Sequence, residues 1–168
     1  MPLPAAADTT YDRRMARQRS APAARSLRVH DFLALVHEGV RARLGDGLDG
    51  MEMRQRFSFV QYFRGSPDVH YEVWAQRKTG RLEIGLHFEG ERDRNYEAAE
   101  LLAMRAPDVQ AAAGPEYELE EWTKAWTRLH RSFDAPSLTP ELADDAAERV
   151  VALMRGMEPI IEQMELRR

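Results

Sequence analysis

The chain has 168 residues, of which 43% are hydrophobic and 31% charged. That is the size and balance of one globular domain with a real core, not of a disordered segment. There is no cysteine, which removes disulfides, thiolate nucleophiles, zinc ribbons and iron–sulfur clusters together. The formal net charge of −4 leaves no overall basic footprint for nucleic acid.

No run approaches the ~20 apolar residues of a membrane span. The N-terminus lacks the apolar stretch of a secretory signal, so a cytoplasmic location is the default expectation. The charge is uneven. Residues 1–56 hold ten arginines against seven acidic residues, leaving 14 basic against 21 acidic for the rest. Lys78 and Lys124 are the only lysines and Asn95 the only asparagine. This reads as the codon bias of a GC-rich bacterial genome, or as the residue usage of a thermophile.

Residues 1–26 are rich in Ala, Pro, Ser and Arg without apolar periodicity. They read as a tail, and residues 27–168 as a single domain. Arg13, Arg14, Arg17 and Arg19 give the tail a second reading, an arm that contacts nucleic acid or another acidic partner; the acidic remainder of the chain disfavours nucleic acid.

A helix is predicted over Leu27–Leu44, where Val29, Phe32, Leu33, Val36, Val40 and Leu44 share one face. Gly45 supplies its end, and Asp46–Gly50 form a turn without the ligand spacing of a calcium loop. Three strands follow. Phe57–Phe63 is aromatic and apolar on both sides. Val69–Arg77 and Arg81–Glu89 alternate with period two. Matching apolar with apolar sets Ala75 by Leu82, Val73 by Ile84, Tyr71 by Leu86 and Val69 by Phe88, with Arg77–Gly80 as the turn. The same matching sets Phe63 by Val69 and Phe59 by Val73.

A second helix is expected from Asp93 or Asn95, both good N-caps, with Pro107 interrupting it. Residues 115–133 read either as a helix, through the stripe Leu119, Trp122, Trp126, Leu129 and Phe133, or as a hairpin. The hairpin would set Tyr117 by Leu129, Leu119 by Thr127 and Glu118 by Arg128. Its aromatic and threonine content, and the widening of a narrow sheet, favour the hairpin. Thr139, Pro140 and Glu141 then open a long last helix carrying Leu142, Ala146, Val150, Leu153, Met157 and Met164, which Pro159 should bend or break. The fold class is α+β in the order α-β-β-β-α-β-β-α, an antiparallel sheet with its helices on one face.

Chemistry is sparse. Asp68, Gln76 and Lys78 mimic a metal-dependent nuclease signature, but Asp68 and Gln76 lie at opposite ends of one strand, ~26 Å apart at ~3.3 Å per residue. There is no Gly-rich phosphate loop, no His-Glu-x-x-His and no nucleophile elbow. The register does align His70 with His87 on the polar sheet face, near Glu72 and Glu89. Cross-strand Cβ atoms lie ~5 Å apart, so these two imidazoles could share a Zn²⁺ or Ni²⁺. The same face is expected to show Val60, Tyr62, Trp74 and Trp126, a surface for a partner, a second subunit or the arm.

The element order resembles that of type III secretion chaperone-like proteins. The resemblance spans roughly residues 27–165 and depends on a hairpin at 115–133. It implies a small, acidic, dimeric protein that binds extended segments of other proteins, and it transfers no site residues. The first functional expectation is a non-enzymatic binding or adaptor protein without cofactor, a homodimer or a protein's partner. The alternative is a small metal-dependent enzyme centred on His70 and His87.

Overall fold

The structure is a computed structural model that describes residues 25–45 and 48–167. The expectations for residues 1–24 lie outside the described residues. Helix α1 (Val29–Arg43) leads into strands β1 (Glu52–Gln55), β2 (Phe59–Phe63), β3 (Val69–Gln76) and β4 (Arg81–Phe88). Helices α2 (Arg92–Met104) and α3 (Ala106–Ala113) follow, then β5 (Glu118–Glu121), β6 (Thr127–Asp134) and α4 (Pro140–Gln163). The six strands form one antiparallel sheet in the order β1-β2-β3-β4-β6-β5. The α+β class and the antiparallel sheet are as the sequence predicts, with one strand and one helix more than expected among the described residues.

The β3–β4 register is the predicted one at all four apolar pairs, and it sets His70 opposite His87. The turn Arg77–Gly80 is short, and both strands alternate cleanly, so only one register keeps Tyr71, Val73, Ile84 and Leu86 on one side. These four are fully buried. Helix α4 covers that side: the Tyr71 hydroxyl donates to Glu158 of α4 at 2.7 Å. Helix α1 stacks His37 on Tyr62 of β2, and Thr127 of β6 donates to the Asn95 carbonyl of α2. All these helix–sheet contacts fall on the Tyr71 side.

The β2–β3 register departs from expectation by one residue: Phe63 pairs with His70 and Phe59 with Trp74. A one-residue slip turns every side chain of the strand over. Val60 and Tyr62 are therefore core residues under the helices, 0% and 1% exposed, and not part of the second face. The expected register would have sunk the Gln61 amide into the apolar core between Phe59 and Phe63, where it has no partner. The observed one puts Gln61 among polar groups.

Residues 115–133 form the hairpin, with Leu119 opposite Leu129 and Glu120 opposite Arg128. The shift from the expected pairing is two residues, so each side chain keeps its face. Strand β1 has only four residues, Glu-Met-Arg-Gln, too short and too polar for a periodic signal. The expected interruption near Pro107 is present: α2 stops at Met104, and Pro107 sits in the first turn of α3. Asn95 caps nothing: its buried side chain donates to the carbonyls of Gly90 and Ala125, tying the start of α2 to the β5–β6 turn. Thr139 caps α4 through Leu142 N–H at 3.2 Å, and α4 runs through Pro159 to Gln163 without breaking. Among the described residues no helix is long and apolar enough to cross a membrane.

Candidate functional site

The sheet face opposite the helices takes its side chains from alternate positions of β1 to β6, in cross-strand rows, three of which form the site. One row runs Phe63, His70, His87, Arg128, Glu120. The next runs Arg54, Gln61, Glu72, Gly85, His130, Glu118. The third runs Phe59, Trp74, Glu83, Ser132. Adjacent rows lie two residues apart on each strand, so a polar cluster gathers around Gly85. Its members are deeply buried: His70 is 0% exposed, His87 1%, Glu83 2% and Glu72 5%.

Gly85 lies directly beneath this cluster and is closely covered by it. A Cβ there would lie 2.9 Å from His130 Cβ and 3.1 Å from His87 Nε2. No side chain fits at this position without displacing the ring of His87. His130, His87 and the Leu129 carbonyl close over this glycine.

The hydrogen bonds fix which atoms face inward. The Arg54 Nε–H donates to Gln61 Oε1 at 2.8 Å. Guanidinium offers only donors, so the Gln61 amide is oriented and its NH₂ points the other way. That NH₂ donates to Glu72 Oε2 at 2.7 Å and to His70 Nε2 at 3.0 Å. His70 Nδ1 lies 2.7 Å from the Pro67 carbonyl, which can only accept. His70 is thus the Nδ1–H tautomer, its Nε2 lone pair accepting from Gln61, with Glu72 3.6 Å away.

His87 is held the same way from the other strand. Its Nδ1 lies 3.2 Å from Glu89 Oε1. Its Nε2 is 3.3 Å from Glu83 Oε1, within ion-pair reach but out of line for a hydrogen bond, and it has no hydrogen-bond partner. The two imidazoles stack with ring centroids 5.3 Å apart. His130 reaches Glu120 through Nε2 at 3.0 Å, while its Nδ1, 3.7 Å from Glu83, is buried and also without a hydrogen-bond partner.

The charges settle into pairs. Burial alone would lower the His87 pKa, but Glu83 and Glu89 at its two nitrogens, with Glu72 nearby, push it up to about 9. Burial would raise that of Glu83, but His130, His87 and Arg128 bring it down to about 2. Arg128 Nη1 donates to both Glu83 oxygens at 2.8 and 2.9 Å, and its Nε donates to Glu120 at 2.8 Å. Trp122, in the β5–β6 turn, closes one end. Its ring meets His87 edge-on at 5.8 Å, stacks on Trp126, meets Trp74 and carries the Arg128 guanidinium at 5.0 Å.

Of the predicted ligand residues, His70, Glu72 and His87 converge: one ligand atom from each lies within 4.8 Å of the others. Glu89 does not join them. It sits at the far nitrogen of His87 and orients the ring. Of the predicted surface residues, Trp74 and Trp126 border the site half-buried, while Val60 and Tyr62 are in the core. Gln61, Glu83, Arg128, His130 and Trp122 belong to the site and were not foreseen. Glu83 was legible, lying on the same side of β4 as His87; Gln61 needed the correct β2 register. Asp68 and Gln76 stand at opposite ends of β3, so the nuclease-like spacing gathers nothing. No protein-family model and no curated protein matches the chain.

Proposed function

We propose that the protein is a small, non-enzymatic binding domain that works through the sheet face opposite its helices, around Gly85. The observation that supports this is the pair of buried ring nitrogens, His87 Nε2 and His130 Nδ1, that make no hydrogen bond although both stand near Glu83 above Gly85. A buried polar atom without a partner costs about 1–3 kcal/mol. A ligand that supplies partners recovers that cost.

A second reading, capture of an extended protein segment or of a second copy of the chain, draws on the half-buried Trp74, Trp122 and Trp126 beside the same face. Native mass spectrometry of the freshly purified full chain tests both. The small-ligand reading expects single chains carrying a non-covalent adduct that is lost on denaturation and absent from His87→Ala. Bare single chains, together with no thermal stabilisation by any small ion or metabolite in a screen, would overturn it. A dimer without adduct favours the second reading.

A further inference from the structure

We propose that the ligand of this face is a divalent first-row transition ion of the zinc class, held by His70 Nε2, His87 Nε2 and a Glu72 carboxylate oxygen. The inference rests on the binding reading above and names its occupant. Two imidazoles and one carboxylate suit zinc and its neighbours, whereas calcium and magnesium take oxygen sets.

Three features carry it. Both rings are anchored through Nδ1, His70 on the Pro67 carbonyl and His87 on the Glu89 carboxylate, which leaves each Nε2 beside a carboxylate, Glu72 and Glu83. Anchoring the far nitrogen on a carbonyl or carboxylate is how metal-bound histidines are oriented. Next, His87 Nε2 is buried and makes no hydrogen bond, although the Glu83 carboxylate stands 3.3 Å away. Finally, the Gln61 amide presents two N–H groups to His70 Nε2 and Glu72 Oε2 at 3.0 and 2.7 Å. It faces those two lone pairs as a cation would. Ligand atoms around a tetrahedral ion at ~2.0–2.1 Å lie about 3.3 Å apart, and His70 Nε2 and Glu72 Oε2 are already at 3.6 Å. Side-chain rotation closes the rest, because the backbone register has brought the rings together.

The test uses the full chain, stripped with a chelator and given Zn²⁺ alone. One equivalent is expected to bind. Long-range ¹H–¹⁵N spectra should show two of the five histidines changing at Nε2 while keeping Nδ1–H. Co²⁺ in place of Zn²⁺ should quench tryptophan fluorescence, because Trp122 lies 5.8 Å from His87. Glu72→Gln should weaken binding at least tenfold, Glu89→Gln about 10–100-fold, and His30→Ala, at an exposed position, not at all. Failure of Zn²⁺ to bind, or binding that leaves both inward nitrogens unchanged or is lost in His30→Ala, overturns the inference without requiring any buried variant to fold. An organic adduct with no zinc uptake would sink the metal and spare the binding reading; neither adduct nor zinc would sink both.

Discussion

Gln61 shows how one residue can hold a site together before its ligand arrives. Arg54 takes its carbonyl oxygen, and its NH₂ satisfies lone pairs on both His70 and Glu72. Gln61→Leu keeps the bulk and removes all of these bonds. The metal-free variant should lose about 1–3 kcal/mol by urea unfolding, the cost of stranding buried acceptors. The same stranding removes the competitor of an incoming ion, so Zn²⁺ should bind the variant more tightly than the parent, roughly tenfold by calorimetric titration. A variant that is destabilised but binds Zn²⁺ more weakly would show that Gln61 organises the ligands rather than standing in for the ion. The site's legibility also turns on this residue. His70 and His87 could be placed from the β3–β4 alternation alone, because both strands obey period two across a short turn. The polar cluster around them could not, because Phe59-Val60-Gln61-Tyr62-Phe63 is apolar at four of its five positions, and only the amide in the middle tells which side faces the helices.

At the scale of elements, the helix layer is pinned to the sheet by a second buried charge cluster, unrelated to the first. Glu158 of α4 accepts from the Tyr71 hydroxyl of β3, from Arg64 Nε at 3.2 Å and from Arg167 Nη1 at 3.0 Å. Burial alone would raise its pKa. The hydrogen bonds from Arg167 and Tyr71, and the charges of Arg167 and Arg64, outweigh burial and hold it below the ordinary carboxylate value. A carboxylate lowered in the folded state contributes stability that is present above its unfolded pKa and is lost as pH falls through its folded one. Glu158→Gln should therefore cost about 1–3 kcal/mol at pH 7, where two guanidinium groups lose their counter-charge, and progressively less as pH drops toward 3. Urea midpoints of parent and variant across that range measure it; a gap that stays constant with pH would mean that packing, not charge, sets the effect. Strong local signals made most elements readable: the Thr139–Pro140 start of α4, the period-two strands and the Arg77–Gly80 turn, whereas the start of α2 at Arg92, after Glu91, carries neither of the expected caps. Strand β1 stayed hidden because four exposed or half-exposed residues at a sheet edge owe their conformation to pairing with β2, which is tertiary information.

At the scale of the whole molecule, the two faces of one sheet carry different work. The helices and the apolar core occupy the Tyr71 side, and the charged cluster occupies the other. The three tryptophans of the chain, Trp74, Trp122 and Trp126, all lie in contact with one another or with the cluster on the second side. Tryptophan fluorescence thus reports one face, and far-ultraviolet circular dichroism, dominated by helices, reports the other. Each strand supplies both faces with alternate side chains, so the second face cannot come apart while the ladder that supports the helices stays paired. The chain is also closed across its length: the Leu27 N–H donates to the Leu138 carbonyl, Arg43 of α1 pairs with Asp144 of α4 at 2.7 Å, and Arg155 of α4 donates to the Arg43 carbonyl. The two signals are expected to follow a single urea transition with a common midpoint and slope, and Zn²⁺ should move both midpoints upward together, since an ion bound only by the folded state stabilises all of it. Were fluorescence to change at lower urea than dichroism, the polar face would be opening by itself, and the sheet would not be the shared support that its alternating side chains describe.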